Sequence, residues 1–589
     1  MTSGVLTDTA QLGDPQPPLA PRPAVDDVVR RRLSPLVGRD PWSWVFTGLV
    51  TLIAGALRLI GITHPRGKIF DEIYYATEGQ ELFSHGVEWR PESNTGDFVV
   101  HPPLGKWLIG LGEWLFGRDT NGNWLADGQS GTNQLCLGHS KVCVVWQTNA
   151  EFGWRISAVV AGTLSVLIVI RLGRRLFGST ALGCAAGLLL ALDGMHFVLT
   201  RSALLDVFLM FFVLASFTCL VLDRDQRRAR CLAELEAGHD PIRPKRAGAR
   251  WFRAGRRGVG RPGVGRWRLA AGVLIGCAGA VKWSALFYLG LFVILIFAWE
   301  IGLRRSAGGR HPWRDTILDE IGKVAAFAGA SVAAYLASWS GWFATDTGWS
   351  RHWLRDHQVN FRIGVPRFGV HFNDDTPILG PLLNLYQYHQ EALAFHTQLT
   401  QPHPYQSDPW QWLLLGRPVA FYWSGDCPPG AANCASEVLL LGTPLLWWSF
   451  IAALGALVWL GVARRDWRAP AIGLAAATGI VPWFKYQFDE VPVVTNGVET
   501  LMHRTMFYFY ALPALPFLVL AVVYVLAAII GGPSARGAPV SERRLIGTII
   551  VGAYLLAIAW CFAYFYPIYS GAVMSHSDWY LRIWLDRWV

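Results

Sequence analysis

Apolar runs of about 17 to 25 residues, the length that carries a helix across roughly 30 Å of hydrocarbon, recur along the whole chain and constrain its fold more than any motif does. They fall near 43–63, 154–172, 179–197, 203–222, 268–281, 284–303, 322–343, 438–462, 470–484, 505–530 and 545–566. The expected fold is therefore an all-α polytopic membrane protein with about eleven transmembrane helices. The fifth and ninth runs are short, and only Lys282-Trp283 separates the fifth from the sixth. With 52% hydrophobic and 16% charged residues in 589, the chain is too apolar for a string of soluble domains, and its 29 Trp suit a membrane interface.

Positive charge orients the stack, because short cytoplasmic loops accumulate Lys and Arg. Segments 1–40, 171–178, 223–267, 304–320, 463–469 and 531–544 carry Arg30-Arg31-Arg32, Arg174-Arg175, the run from Arg224 to Arg266, Arg304-Arg305, Arg464-Arg465 and Arg543-Arg544. Every second connection is basic. Residues 1–40, rich in Pro, Asp and Ala, are expected as a disordered cytoplasmic leader without a cleaved signal, ahead of a membrane domain over 41–567. Segments 64–153 and 344–437 become two large external loops, and 568–589 an external C-terminal tail. Short surface helices are expected in both outer loops, for example at 103–117, which is too short to span. The net charge of +10 is then largely topological. The basic 223–267 loop points to contact with anionic lipid, and no nucleic-acid partner is expected.

Four of nine cysteines lie in the outer loops, as Cys136 with Cys143 and Cys427 with Cys434, six residues between the members of each pair. Either each pair forms a disulfide, as an oxidising outer face allows, or four thiols stay unpaired. Neither CxxC nor a zinc-like His cluster occurs, so no metal is assigned.

The unusual polar content gathers on the outer face. Asp71 and Glu72, in Lys68-Ile69-Phe70-Asp71-Glu72-Ile73-Tyr74-Tyr75, follow the first run closely. Asp97, the stretch His101-Pro102-Pro103-Leu104-Gly105-Lys106, Glu151 and Arg155 complete the first loop. Arg201 and Asp206, Lys282-Trp283 and His503-Arg504 mark the outer ends of later runs. A lone Lys or Arg there could be a snorkelling anchor. Carboxylates, His, Lys and Arg at the outer ends of several runs are costly unless paired or used, and such a set can hold an anionic headgroup.

Phe70-Asp71-Glu72, His101-Pro102-Pro103-Leu104-Gly105-Lys106, Glu151 with Arg155, Arg201 to Asp206, Gly279-Ala280-Val281-Lys282-Trp283, and His403-Pro404-Tyr405-Gln406-Ser407-Asp408-Pro409-Trp410 with Arg417-Pro418 resemble the protein O-mannosyltransferases. That family belongs to the GT-C membrane glycosyltransferases, which use lipid-phosphate sugars. The resemblance runs from about residue 43 to the last span, and the second loop is too short for the eukaryotic insert, so it is to the bacterial branch. Asp97 departs from the pattern, lying four residues before His101 instead of two.

The resemblance implies inverting transfer of mannose from a polyprenyl-phosphate mannose to Ser or Thr hydroxyls of exported proteins, at the external face of the plasma membrane. Asp71 is expected as the base and Glu72 as a positioning group beside it. Arg155 leads the donor-phosphate candidates, followed by Lys106, His101, Arg201, Asp206, Lys282, His503 and Arg504. Of the aromatic residues crowding the second outer loop, Tyr405 and Trp410 are assigned to the acceptor. No cofactor is expected to be essential, although a divalent ion at the carboxylates remains an alternative, and the protein export channel is a further candidate partner. Competing readings are a lipid-phosphate-sugar glycosyltransferase acting on a lipid or cell-wall glycan, a transporter, and a scaffold subunit.

Overall fold

In the computed structural model, the structure describes residues 25–34, 38, 40–136, 143–238, 263–359, 361–363, 370–495, 498–531 and 541–589. Each of the eleven apolar runs contains a helix. Among the described residues seven helices are long and apolar enough to cross a membrane: Ala150–Phe177, Leu205–Glu236, Ala285–Ser306, Pro312–Ser338, Pro444–Arg464, Tyr508–Ile530 and Glu542–Ser570. Ser43–Leu59 and Thr180–Ala191 are shorter apolar helices. Arg266–Gly279 and Arg468–Thr478 have 14 and 11 residues. The chain is a multi-pass membrane protein, and the expected count of eleven is not reached on helix length alone.

Local chemistry sets the ends of these helices. Asn149 caps Ala150–Phe177 by accepting from the Phe152 N–H at 2.9 Å, and Gly178 ends it at φ 67°. A side-chain oxygen satisfies one N–H orphaned at a helix start, and glycine adopts the left-handed stop without a Cβ penalty. Leu205–Glu236 and the Tyr508–Ile530 stretch are the most enclosed and form the centre of the bundle, whereas Pro312–Ser338 lies at its edge. That edge helix is held by Gly272 and Gly276 of Arg266–Gly279, where a Cβ would stand 2.5 Å from the Phe327 oxygen and 2.2 Å from the Ser331 oxygen. Small residues four apart let two backbones approach where lipid supplies no hydrophobic drive.

The structure adds detail to the expected organisation at four places. The body is helical as expected, and small antiparallel sheets stitch its connections, including Ser130–Cys136 with Cys143–Asn149 and a three-stranded sheet in which Cys434–Leu440 lies between Val419–Ser424 and Met574–Ser575. Cys434–Leu440 is buried throughout, and its apolar end overlaps the eighth run; the helix starts only at Pro444. A short apolar strand buried on both faces has no period that separates it from a helix. Second, the leader is partly ordered: Asp27–Leu33 is a helix whose Leu33 packs with Cys231 and Leu303, while 1–24 lie outside the described residues. Third, Leu205–Glu236 carries helix well into the expected 223–267 loop, because Asp223 pairs with Arg268 at 2.7 Å and Arg227 with Glu320 at 2.7 Å. The remainder of that loop, 239–262, lies outside the described residues. Fourth, the C-terminal tail is docked, with Trp588 fully buried and the Trp579 indole donating to Glu437 at 2.6 Å.

Both outer loops carry short helices: Glu72–His85 and Leu104–Phe116 in the first, Leu379–Thr397 and Pro409–Trp412 in the second. Cys427 and Cys434 form a disulfide. Cys143 is disulfide-bonded as well, and its Cα stands opposite that of Cys136 at the end of their ladder.

Candidate active site

The adjacent carboxylates meet opposite fates. Glu72, with no exposed surface, accepts from the Arg155 guanidinium at 2.9 and 2.8 Å, from the Ala203 N–H at 2.9 Å and from the Ile69 N–H at 3.0 Å. Arg155 spends its remaining N–H groups on the carbonyls of Ile62 and Pro65 at 2.9 Å and of Gly67 at 3.0 Å. All five guanidinium donors are used. The pair is a buried clamp that fixes the turn leading from the first helix to Asp71.

Asp71 is left free by the same turn. It occupies the N-cap position of Glu72–His85 but sits at φ −71° and ψ −3°, and its side chain makes no cap. An Asp at this position ordinarily accepts from a first-turn N–H, a bond worth about 0.5–2 kcal/mol. Phe70 just before it lies at φ 49°. For a bulky residue the left-handed region costs about 1–2 kcal/mol. Among the described residues nothing hydrogen-bonds the Asp71 carboxyl. Burial raises its pKa to about 6, opposed by the charge of Lys282 and assisted by Asp206 and Glu78.

Beside Asp71 lies a cavity of about 220 Å³, whose charged and imidazole lining is Lys282, Asp206, Arg504, His101 and His396. Lys282 pairs with Asp206 at 2.7 Å. Arg504 donates Nε–H to the His396 carbonyl at 2.7 Å and an Nη1–H to the Thr505 carbonyl at 3.3 Å. Its Nη2 makes no hydrogen bond among the described residues. The guanidinium lies 5.1 Å from the Tyr486 ring and 5.5 Å from Trp483. His101 stands 5.0 Å from His396, ring to ring, and burial holds its pKa well below the ordinary value, so it is neutral. Leu209, Leu286, Phe287, Trp283, Trp483 and Tyr510 make much of the remaining wall apolar and aromatic.

Several residues assigned from sequence do other work. Arg155, the leading phosphate candidate, has no donor to spare. Arg201 binds the Arg58 carbonyl at 3.0 Å and the Gly61 carbonyl at 2.7 Å, closing the first helix; its partner is not Asp206, which takes Lys282. Lys106 is fully buried between Glu88 at 2.5 Å and Glu78 at 3.2 Å. Asp97 pairs with Arg90, and His503 is exposed at the end of a strand, near the Asp489 carbonyl. Tyr405 lies under Arg417, Trp410 is 49% exposed, and neither lines the cavity. At Arg155, Arg201 and Lys106 the fold places carbonyls or carboxylates around a group that the sequence shows only as a charge.

Sequence reasoning missed His396, Trp483, Tyr486 and Tyr510. The three aromatics lie in or beside apolar runs, where rings read as interface belts. His396 ends the Leu379–Thr397 surface helix, whose register alone carries no signal. Among the described residues no group of three or more His, Cys, Asp or Glu is arranged to hold a metal ion.

A helical membrane body thus gathers cations, the Asp206 carboxylate and aromatic rings around one cavity, with the unbonded Asp71 carboxyl beside it. The fold matches the structure of the S. cerevisiae protein O-mannosyltransferase Pmt1-Pmt2 complex bound to the sugar donor, with a TM-score of 0.65 at 14% identity, over 95% of this chain and 94% of that one. This is the GT-C fold. Residues 48–235 match the family model for dolichyl-phosphate-mannose-protein mannosyltransferase, and 382–588 match that for the C-terminal four-TMM region of protein-O-mannosyltransferase. Polyprenol-phosphate-mannose–protein mannosyltransferases from Mycolicibacterium smegmatis and Mycobacterium tuberculosis are each 34% identical, covering 99% and 92% of both sequences respectively. That from Corynebacterium glutamicum is 28% identical over 93% of this chain and 94% of its own length. The chain belongs to the protein O-mannosyltransferase family.

Proposed function

We propose that this protein transfers mannose from a polyprenyl-phosphate mannose to Ser or Thr hydroxyls of exported proteins, at the external face of the cell membrane. The observation that carries the reading is the Asp71 carboxyl, part-buried yet unbonded beside the Lys282–Asp206 pair. The acceptor oxygen attacks the anomeric carbon as the bond from that carbon to the phosphate oxygen breaks, and Asp71 takes the hydroxyl proton. One base and one displacement invert the anomeric configuration. The departing polyprenyl phosphate gains negative charge, which Lys282 and the unpaired Nη2 of Arg504 face. Neutral His101 supplies a hydrogen bond without adding a cation. The apolar wall from Leu209 to Phe287 suits the first isoprene units, and the indole and phenol rings suit the sugar face. The acceptor enters as an extended segment, as it would on leaving the export channel. No step in this scheme calls for a metal ion.

The test is to incubate the purified protein with polyprenyl-phosphate [14C]mannose and a Ser/Thr-containing peptide. Wild type labels the peptide and Asp71→Asn does not. Label appearing on a lipid or glycan instead of the peptide defeats the protein-acceptor reading, and equal labelling by the variant removes Asp71 as base.

A further inference from the structure

Phe70 spends a left-handed backbone conformation, φ 49°, immediately before the base. Such strain persists only where the surroundings over-determine it, and it clusters at functional sites. The surroundings are a set of rings contributed by distant parts of the chain. Phe421 stacks on Phe70 with centroids 4.5 Å apart and planes 8° from parallel. Phe509 and Phe507 meet Phe70 edge-on at 5.9 and 6.4 Å, and His403 at 6.3 Å. Phe421 reaches this place because Val419–Ser424 carries an irregularity between Ala420 and Tyr422, where its register against Cys434–Leu440 shifts. A bulge inserts one residue and re-aims a side chain. Phe509 also lies 5.7 Å from Lys282 Nζ, so one ring touches both the residue that carries the base and the cation of the cavity.

We propose that Phe421 is a positioning residue for the transfer reaction: its stack on Phe70, braced by Phe507 and Phe509, holds Phe70 in the left-handed conformation and so keeps the Asp71 carboxyl off its own helix and turned toward Lys282. Without the stack Phe70 relaxes to negative φ, and Asp71 is free to cap Glu72–His85 as an ordinary N-cap aspartate. This inference rests on the reading of Asp71 as the base, but its first consequence, the conformation of Asp71, does not require transfer to be measured.

Two measurements test it on the full-length purified protein. The first is an infrared titration of the Asp71 carboxyl, assigned by difference from Asp71→Asn. Its midpoint lies near pH 6 in wild type and falls toward the ordinary carboxylate range in Phe421→Ala, while Phe421→Tyr, which keeps the ring, retains the wild-type midpoint. Lys282, Asp206 and Glu78 are the charged groups acting on that carboxyl, and all stay in place. An unchanged midpoint in Phe421→Ala overturns the proposal even if no acceptor is ever found. The second is a double-mutant cycle on peptide mannosylation. Phe421→Ala lowers kcat roughly three- to tenfold, as loss of one aromatic stack allows, and leaves KM for the lipid donor within twofold, which also reports that the variant is folded. In a Phe70→Ala background the same change has no further effect, because Phe421 acts only through Phe70. Additive losses, or a Phe421→Tyr protein as impaired as Phe421→Ala, overturn it.

Discussion

Arg155 separates a structural from a catalytic use of charge, and the two uses predict different numbers. The side chain is 1% exposed and its partner Glu72 has no exposed surface, so solvent does not screen the pair. Removing one member of such a buried pair costs about 3–5 kcal/mol, because the other is left charged without a partner. The three carbonyls that also lose a donor add about 1 kcal/mol each. Arg155→Ala is therefore expected not to accumulate as folded protein. Arg155→Lys is the informative variant. It keeps the charge but replaces a five-donor fork by a single ammonium, which cannot span Glu72 and three carbonyls at once. Its apparent Tm in detergent is expected to fall by on the order of 5 °C, while KM for the lipid donor stays at the wild-type value in the protein that remains folded. Combining Arg155→Met with Glu72→Leu should recover the part of the loss due to the stranded carboxylate and not the part due to the carbonyls. The reasoning is refuted if Arg155→Lys melts like wild type and instead raises donor KM tenfold, since that is the signature of a phosphate ligand.

Transfer by wild type should rise with pH through about 6 and level off above it, because a base with a pKa near 6 works only once deprotonated; Lys282 holds that pKa down, so Lys282→Gln should move the midpoint to higher pH, read from kcat against pH. Arg504→Met should raise donor KM at least tenfold in a titration of polyprenyl-phosphate mannose, and Arg504→Lys should restore little, because the compact ammonium does not reproduce a planar guanidinium held against Trp483 and Tyr486. Trp410→Ala should leave both constants within twofold, the ring being half exposed and away from the cavity. Dialysis against EDTA followed by assay without added metal should leave transfer unchanged; complete loss restored by a divalent ion would overturn the metal-free scheme.

Faces and segments were legible in the sequence. Apolar length located a helix at every run, and the Lys and Arg bias gathered Asp71, His101, Lys282 and Arg504 on one side of the stack. Saturation of hydrogen-bonding groups was not legible. Arg155 and Arg504 are both arginines beside apolar runs, and composition treats them alike. They differ because the 60–67 turn points three carbonyls at Arg155, whereas Arg504 meets two carbonyls and three aromatic faces. Those carbonyl positions are set by tertiary packing of the turn and have no counterpart in residue identity. Lys106 was lost in the same way: Glu78 and Glu88, its two partners, are unremarkable acids on a helix and beside a hairpin until the fold brings both to one ammonium.

Asp71 and Glu72 show what local geometry adds to adjacency. Had the backbone continued in the extended form usual before an N-cap, Asp71 would have turned onto the first-turn N–H groups and been as fully bonded as its neighbour. One inverted dihedral at Phe70 prevents this, and its cost is carried by rings from the segment 403–509, more than three hundred residues away. The Asp71 carboxyl thus lies within the first family-matched region, the rings that pack on Phe70 within the second, and Lys282 between the two. The setting of the Asp71 carboxyl is consequently a property of the assembled bundle: neither matched region alone contains both that carboxyl and Lys282, the cation whose charge acts on it.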